Sequence, residues 1–216
     1  MVWKAALPEG KSSPVVVGDR IFLTAAEGDD LLTICLDRES GKELWRRSVR
    51  AGREDYRNEL NARATPTPAT DGSRVFVFFQ DYGLAAYDFA GKPLWDVPLG
   101  PFNSQQGVAA SPVYVDGRVV LVCDQDTDAY VIAVDAANGE IVWKKPRQVT
   151  NGYSTPTVYR PEAGPAQIIA VGSYEMTAYS PDGYHRVVRA RPHLPTQVTA
   201  RHRGRHGLLQ RLDGGQ

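Results

Sequence analysis

Along residues 14–183, apolar positions come in short runs separated by Gly, Asp, Asn and Pro. One set of runs reads Ile21-Phe22-Leu23-Thr24, Val75-Phe76-Val77-Phe78-Phe79, Val119-Val120-Leu121-Val122 and Gln167-Ile168-Ile169-Ala170-Val171. A second set follows it: Leu32-Thr33-Ile34-Cys35-Leu36, Leu84-Ala85-Ala86-Tyr87, Val131-Ile132-Ala133-Val134 and Met176-Thr177-Ala178-Tyr179. Short runs rich in β-branched and aromatic residues, bounded by turn formers, predict β-strands. No apolar stripe of 3.6-residue period rises in this stretch, so no helix is expected.

The runs repeat as a unit. Each copy opens on Ser/Thr-Pro, at Pro14, Pro68, Pro112 and Pro156, which are 54, 44 and 44 residues apart. An arginine follows six residues later in the first three copies: Arg20, Arg74 and Arg118. The fourth copy delays its equivalent run by a Pro/Gly-rich insertion, Arg160 to Ala166. Val17-Gly18-Asp19-Arg20 and Val115-Asp116-Gly117-Arg118 carry the chemistry of tight turns between consecutive strands. After the second run of each copy comes a glycine and, four residues on, a tryptophan: Gly41 and Trp45, Gly91 and Trp95, Gly139 and Trp143. Four strands in a unit of about 45 residues is the period of a propeller blade. A tryptophan at one fixed register per blade is expected to wedge between neighbouring blades, where an aromatic side chain buries roughly 150–250 Å². Blades are predicted at 14–49, 66–99, 110–147 and 154–183.

The stretches Asp37-Arg38-Glu39-Ser40-Gly41-Lys42-Glu43-Leu44-Trp45 and Asp135-Ala136-Ala137-Asn138-Gly139-Glu140-Ile141-Val142-Trp143 share one motif, and Asp88 to Trp95 is one residue shorter. This motif resembles the tryptophan-docking motif of the quinoprotein-like (PQQ-like) β-propeller repeats. The resemblance covers 14–183. It implies an all-β fold of four-stranded antiparallel blades and, because such rings close with seven or eight blades, an incomplete ring here. Val187 stands where the fourth copy should have its tryptophan. Trp3 with Lys4 reads as the last strand of a preceding blade, so residues 1–13 are expected to be its remnant. The alternative is that Trp3 to Leu7 supplies the fourth strand of blade four and closes the ring.

Charge adds a boundary. The whole chain of 216 residues carries 25 basic and 25 acidic side chains. Residues 184–216 hold seven of the arginines, one acidic residue and all four histidines: His185, His193, His202 and His206. The rest therefore has 18 basic against 24 acidic groups, a net of −6. The tail is expected to lie outside the repeat, as a disordered end or a stretch translated out of frame; a basic arm for nucleic acid is the alternative. With no net charge overall, a nucleic-acid partner is not expected. No apolar run is long enough for a spanning helix, and Met1-Val2-Trp3-Lys4 lacks the layout of a secretory leader.

Candidate chemistry is sparse. No histidine precedes residue 185, so no Ser–His or Cys–His pair forms in the repeat. Cys35 and Cys123 fall two blades apart and are expected to be buried apolar side chains, unpaired. Asp124-Gln125-Asp126-Thr127-Asp128 alternates carboxylates as a calcium loop does, but Ala129 replaces the glycine such a loop needs. A solvated turn is the expectation. The resemblance implies, for quinoprotein dehydrogenases, a quinone clamped by an adjacent Cys pair and a Trp beside a calcium. No Cys-Cys pair occurs here. No catalytic, cofactor or metal residue is therefore assigned, and neither PQQ nor calcium is expected. The longest connections, 55–63 and 101–107, mix polar and aromatic residues that suit contact with a protein or a saccharide, or that only cover a blade edge. The function expected is a non-catalytic scaffold with a protein partner, the alternative a part of a quinoprotein dehydrogenase. By resemblance the compartment is periplasmic or extracellular.

Overall fold

The computed structural model describes residues 3–56, 58 and 61–189. They form sixteen strands, β1 to β16, in four antiparallel sheets of four. Blade one holds β1 (Val15–Val17), β2 (Arg20–Glu27), β3 (Asp30–Asp37) and β4 (Glu43–Arg50). Blade two holds β5 (Ala69–Thr70), β6 (Arg74–Phe79), β7 (Gly83–Asp88) and β8 (Pro93–Pro98). Blade three holds β9 (Val113–Val115), β10 (Arg118–Cys123), β11 (Tyr130–Asp135) and β12 (Ile141–Pro146). Blade four holds β13 (Thr157–Tyr159), β14 (Gln167–Val171), β15 (Glu175–Tyr179) and β16 (His185–Arg189). In each sheet the strands lie side by side in chain order. The first strands adjoin across blades, β5 with β9 and β9 with β13, so they form the hub and the fourth strands the rim.

The middle strands of the first three blades read as unbroken apolar runs because both faces of those sheets are buried. Side chains alternate along a strand. Val119, Leu121 and Cys123 of β10 therefore join Phe76, Phe78 and Leu84 in the core between blades two and three. Val120 and Val122 point the other way, to Ile168, Ala170 and Tyr179 of blade four. Phe22, Cys35 and Trp45 meet Val75, Val77, Phe79 and Tyr87 between blades one and two. Each side chain buried in this way stabilises the stack by roughly 1.5–3 kcal/mol relative to exposure. The remaining face of blade one, Ile21, Leu23, Ala25, Leu32, Ile34 and Leu36, is covered by Trp3 and Ala5. Among the described residues, no apolar core joins blade four to blade one. The blades thus form an incomplete propeller.

Two expectations change. The boundary at Gly183 falls too early, because His185–Arg189 pairs with β15 as the fourth strand of blade four. The run of like charges drew attention away from Val187-Val188, which continues the ladder opposite Thr177 and Met176. The rest of the tail, 190–216, lies outside the described residues, as do its readings as a disordered end, an out-of-frame stretch or a nucleic-acid arm. Trp3 to Leu7 forms no strand and does not complete blade four, whose edge β16 occupies.

The rim strands share an irregularity. In β4, β8 and β12 the pairing slips by one residue immediately before the tryptophan. The extra residue is Leu44, Leu94 or Val142, and it is exposed. Such a bulge bends and twists the strand locally, and here it accompanies the turn of the indole toward the next blade. β16, without a tryptophan, pairs with β15 without a slip.

Candidate functional site

The tryptophans are the first groups to place. Trp45 and Trp143 are more than nine-tenths buried, and Trp95 packs against the core between blades two and three. Each indole N–H donates to one carbonyl of the next blade: Trp45 to Phe89 at 2.9 Å, Trp95 to Ala136 at 3.1 Å and Trp143 to Pro181 at 2.8 Å. Trp3 does the same to Arg38, at 2.9 Å. The acceptor is always the residue after the motif Asp, or after Ser180, which takes its place in blade four.

The motif spacing has a local cause. The Asp37 carboxylate accepts from the Ser40 N–H at 2.7 Å, and the Gly41 N–H closes the turn onto the Asp37 carbonyl at 2.9 Å. The Gly91 position has φ of 81°, and a Cβ there would stand 2.7 Å from the Trp45 indole. So the glycine of one blade is the seat for the tryptophan of the blade before it. The arginines that open the second strands join in. Arg20 and Trp45 grip the same Phe89 carbonyl, and Arg74, at 2.6 Å, shares the Ala136 carbonyl with Trp95. Arg118 breaks the series, pairing with Asp135 of its own blade at 2.8 Å.

At the hub the Ser/Thr-Pro starts form a second ladder. The Ser13 N–H donates to the Thr67 hydroxyl at 3.0 Å, Thr67 to Ser111 at 2.9 Å, and Ser111 to Thr155 at 2.9 Å. The hydroxyls before Pro68, Pro112 and Pro156 receive this bond from the previous blade.

The two long connections are held by buried polar groups at the ends of the second strands. The Asp55 carboxylate takes two bonds from Arg53 Nε at 2.9 Å and one from the Phe102 N–H at 2.9 Å. Asp81 accepts from the Asp55 N–H at 3.1 Å and faces Arg63 Nε at 3.7 Å. Gln80 bridges the two connections, donating to the Tyr56 carbonyl at 3.1 Å and accepting from the Val108 N–H at 2.8 Å. Gln125 holds the Asn103 N–H at 2.8 Å. Arg63 also reaches Glu54 at 3.0 Å and Asp29 at 3.3 Å.

Beside this network lies an open cavity of about 710 Å³, lined by Glu9, Ala26, Gly28 and residues of the first connection. Glu54, Asp55, Tyr56, Asn58, Asn61 and Arg63 supply its polar wall. Tyr56 is 70% exposed at its edge. Sequence reasoning marked the connection but missed its anchors. The signal was present as Gln80-Asp81 and Asp124-Gln125, polar pairs at the same place after an apolar run.

The acidic turn at 124–128 does not gather its carboxylates. Asp124 is buried and faces Arg147, with Nε at 2.7 Å and a second nitrogen at 3.3 Å. Burial pushes the Asp124 carboxyl up, and the guanidinium opposes that push. Asp126 turns to the Asn151 amide, and the Asp128 carbonyl accepts from Gln125. Among the described residues, no group of three or more His, Cys, Asp or Glu side chains is placed to hold a metal ion. Cys35 and Cys123 are both free and fully buried, in different cores. Burial raises their thiols to about 11 and about 12.

The family model described as "Outer membrane protein assembly factor BamB" matches residues 1–158. The outer membrane protein assembly factor BamB of Burkholderia pseudomallei is 28% identical over 145 residues, 66% of this chain and 32% of that protein. The quinohemoprotein alcohol dehydrogenase ADH IIB of Pseudomonas putida is 27% identical over 115 residues, 51% of this chain and 17% of that protein. The chain thus spans a third or less of the length of these relatives. Among solved structures, the quinohemoprotein alcohol dehydrogenase ADHIIG of Pseudomonas putida superposes with a TM-score of 0.61 at 18% identity, over 85% of this chain and 35% of that one. The enzyme from Comamonas testosteroni gives 0.60 at 15%, over 83% and 35%. At such identity the superpositions speak for the fold alone. With the docking tryptophans, their glycine seats and the matching family model together, the chain belongs to the PQQ-like β-propeller repeat family.

Proposed function

We propose that the chain is a non-catalytic scaffold that binds a protein partner across its loop face, in the envelope compartment where outer-membrane proteins are assembled. One observation carries this reading. The groups that could have served chemistry are already committed to architecture: four indoles to carbonyls of the next blade, and Asp55, Asp81 and Asp124 to holding connections. Among the described residues, a polar cavity is presented on a pinned loop, with Tyr56 exposed beside Asn58. Rigid loops that carry an aromatic and several adaptable polar groups suit protein contact. The similarity to an outer membrane protein assembly factor supports the same class of role. The test is site-specific photo-crosslinking in envelope preparations. A cross-linker at position 56 should capture a discrete protein. No adduct at position 56, with an intact fold, overturns the proposal.

The second reading, a part of a quinoprotein dehydrogenase, rests on the similarity to the Pseudomonas enzyme. The residues present do not fit a quinone clamp of the family kind. The two cysteines sit in separate cores, and the indoles are docked between blades. Calorimetry with PQQ and calcium decides between the readings: heat of saturable binding favours the second.

A further inference from the structure

Two asparagines of the chain precede a glycine, Asn138-Gly139 and Asn151-Gly152. Such a pair is open to reaction with itself, because glycine has no side chain to keep its backbone nitrogen away from the preceding carboxamide. The fold treats the two pairs differently. Gly139 lies in the motif turn, with φ of 78° and its N–H donated to the Asp135 carbonyl at 2.9 Å. The Asn138 Oδ1 accepts from the Glu140 N–H at 2.9 Å. The Trp95 indole presses on the same turn, since a Cβ on Gly139 would stand 2.9 Å from that ring. Nitrogen, carboxamide and turn are all held.

Asn151-Gly152 lies in the connection between β12 and β13, outside any strand. Among the described residues, the Gly152 N–H has no acceptor and the buried Asn151 Oδ1 has no donor. The Asn151 amide nitrogen is engaged, by the Asp126 carboxylate. Asp124 stands against the glycine, where a Cβ would come within 2.8 Å of its carboxylate. The nucleophile is thus unlocked, and an unpaired buried carbonyl destabilises the starting state.

We propose that Asn151 is a self-modification site, which loses its amide nitrogen to attack by the Gly152 nitrogen. The Gly152 nitrogen bonds to Cγ of Asn151, the Cγ–Nδ2 bond breaks, and the proton of the Gly152 N–H departs with the amide group as ammonia. One water then opens the cyclic imide to aspartate or isoaspartate. The product sets a carboxylate against Asp126 where an N–H donor stood, and like charges at that distance repel. The connection is left with the tie beside it, the Thr150 N–H and hydroxyl on the Ser173 hydroxyl at 3.1 Å. The reaction therefore unpins this connection, irreversibly and with time.

The experiment incubates the folded 216-residue chain at mildly alkaline pH and maps its tryptic peptides by mass at intervals. Cleavage at Lys144 and Arg147 puts the two pairs on separate peptides. Conversion at Asn151 should be about tenfold or more faster than at Asn138, because Gly139 must first open its hydrogen bond. In urea the two rates should converge. Asn151→Asp, which installs the charge of the product, should speed chymotrypsin cleavage after Tyr153, and Asn138→Asp should not. Equal rates in the folded chain, or faster conversion at Asn138, overturn the proposal. So does a folded chain that keeps both amides while the chain in urea loses them. An Asn151→Asp chain cut no faster than the unmodified one overturns the unpinning.

Discussion

The indole nitrogen of Trp45 lies 2.9 Å from the carbonyl oxygen of Phe89, and the guanidinium of Arg20 reaches the same oxygen. One peptide group of blade two is thus held by two side chains of blade one. Trp45→Ala removes a buried wedge and is expected to cost about 3–5 kcal/mol. Trp45→Phe retains most of the packing and loses the bond, for roughly 1 kcal/mol beyond its lost volume. Urea denaturation of both variants checks the ranking; equal losses would show that the hydrogen bond, and not the packing, dominates.

Gly91→Ala tests the seat from the other side. Its φ of 81° disfavours any Cβ, and that Cβ would stand 2.7 Å from the Trp45 ring. A loss of about 1–3 kcal/mol is expected from the backbone strain alone. Pairing it with Trp45→Ala should give less than the sum, since the clash disappears with the indole.

Asp124 and Arg147 form a buried pair in which neither side chain exceeds 1% exposure. Arg147→Met leaves an uncompensated carboxylate and should cost about 3–5 kcal/mol. Adding Asp124→Leu to it should recover most of that loss. A double-mutant cycle by thermal or denaturant unfolding reads the coupling directly.

The two thiols should be silent in the folded chain. Burial holds them at about 11 and about 12, so little thiolate exists at neutral pH and no path reaches it. Alkylation at mildly alkaline pH is expected only after denaturant is added. Rapid labelling of Cys123 in the native state would contradict its place in the core between blades two and three.

Acid should loosen the turns before the cores. The Ser40 hydroxyl and N–H hold Asp37 below its ordinary value. Burial pushes Asp71 up, and bonds from Ser73 and Arg74 outweigh it, so its pKa is also lowered. A carboxylate with a lowered folded pKa contributes stability that is present above its unfolded pKa and lost as pH falls through the folded one. The melting temperature should therefore decline below about pH 4. Asp71→Asn should flatten that decline relative to the unmodified chain.

The repeat was readable because each blade solves the same packing problem with the same residues. Trp45, Trp95 and Trp143 keep register, and their role as wedges followed from recurrence. The identity of the seats did not follow, because Gly91 lies four residues before its own Trp95 and serves Trp45 of another blade. The loop anchors were hidden for a related reason. Gln80 and Asp81 act on Val108 and Asp55, well separated along the chain, and no local pattern encodes those partners. The end of blade four was misjudged because the arginines around Val187-Val188 outweighed a two-residue apolar signal.

Leu44, Leu94 and Val142 interrupt the rim strands at equivalent places. An interrupted outer strand is a poor template for the backbone of another molecule, since the hydrogen-bonding groups no longer line up for continuous zippering. Three of the four spokes are blunted in this way, and β16 is not. The extra residue that lets each indole turn toward its neighbour therefore also guards the outer edge of its own sheet against pairing with another copy.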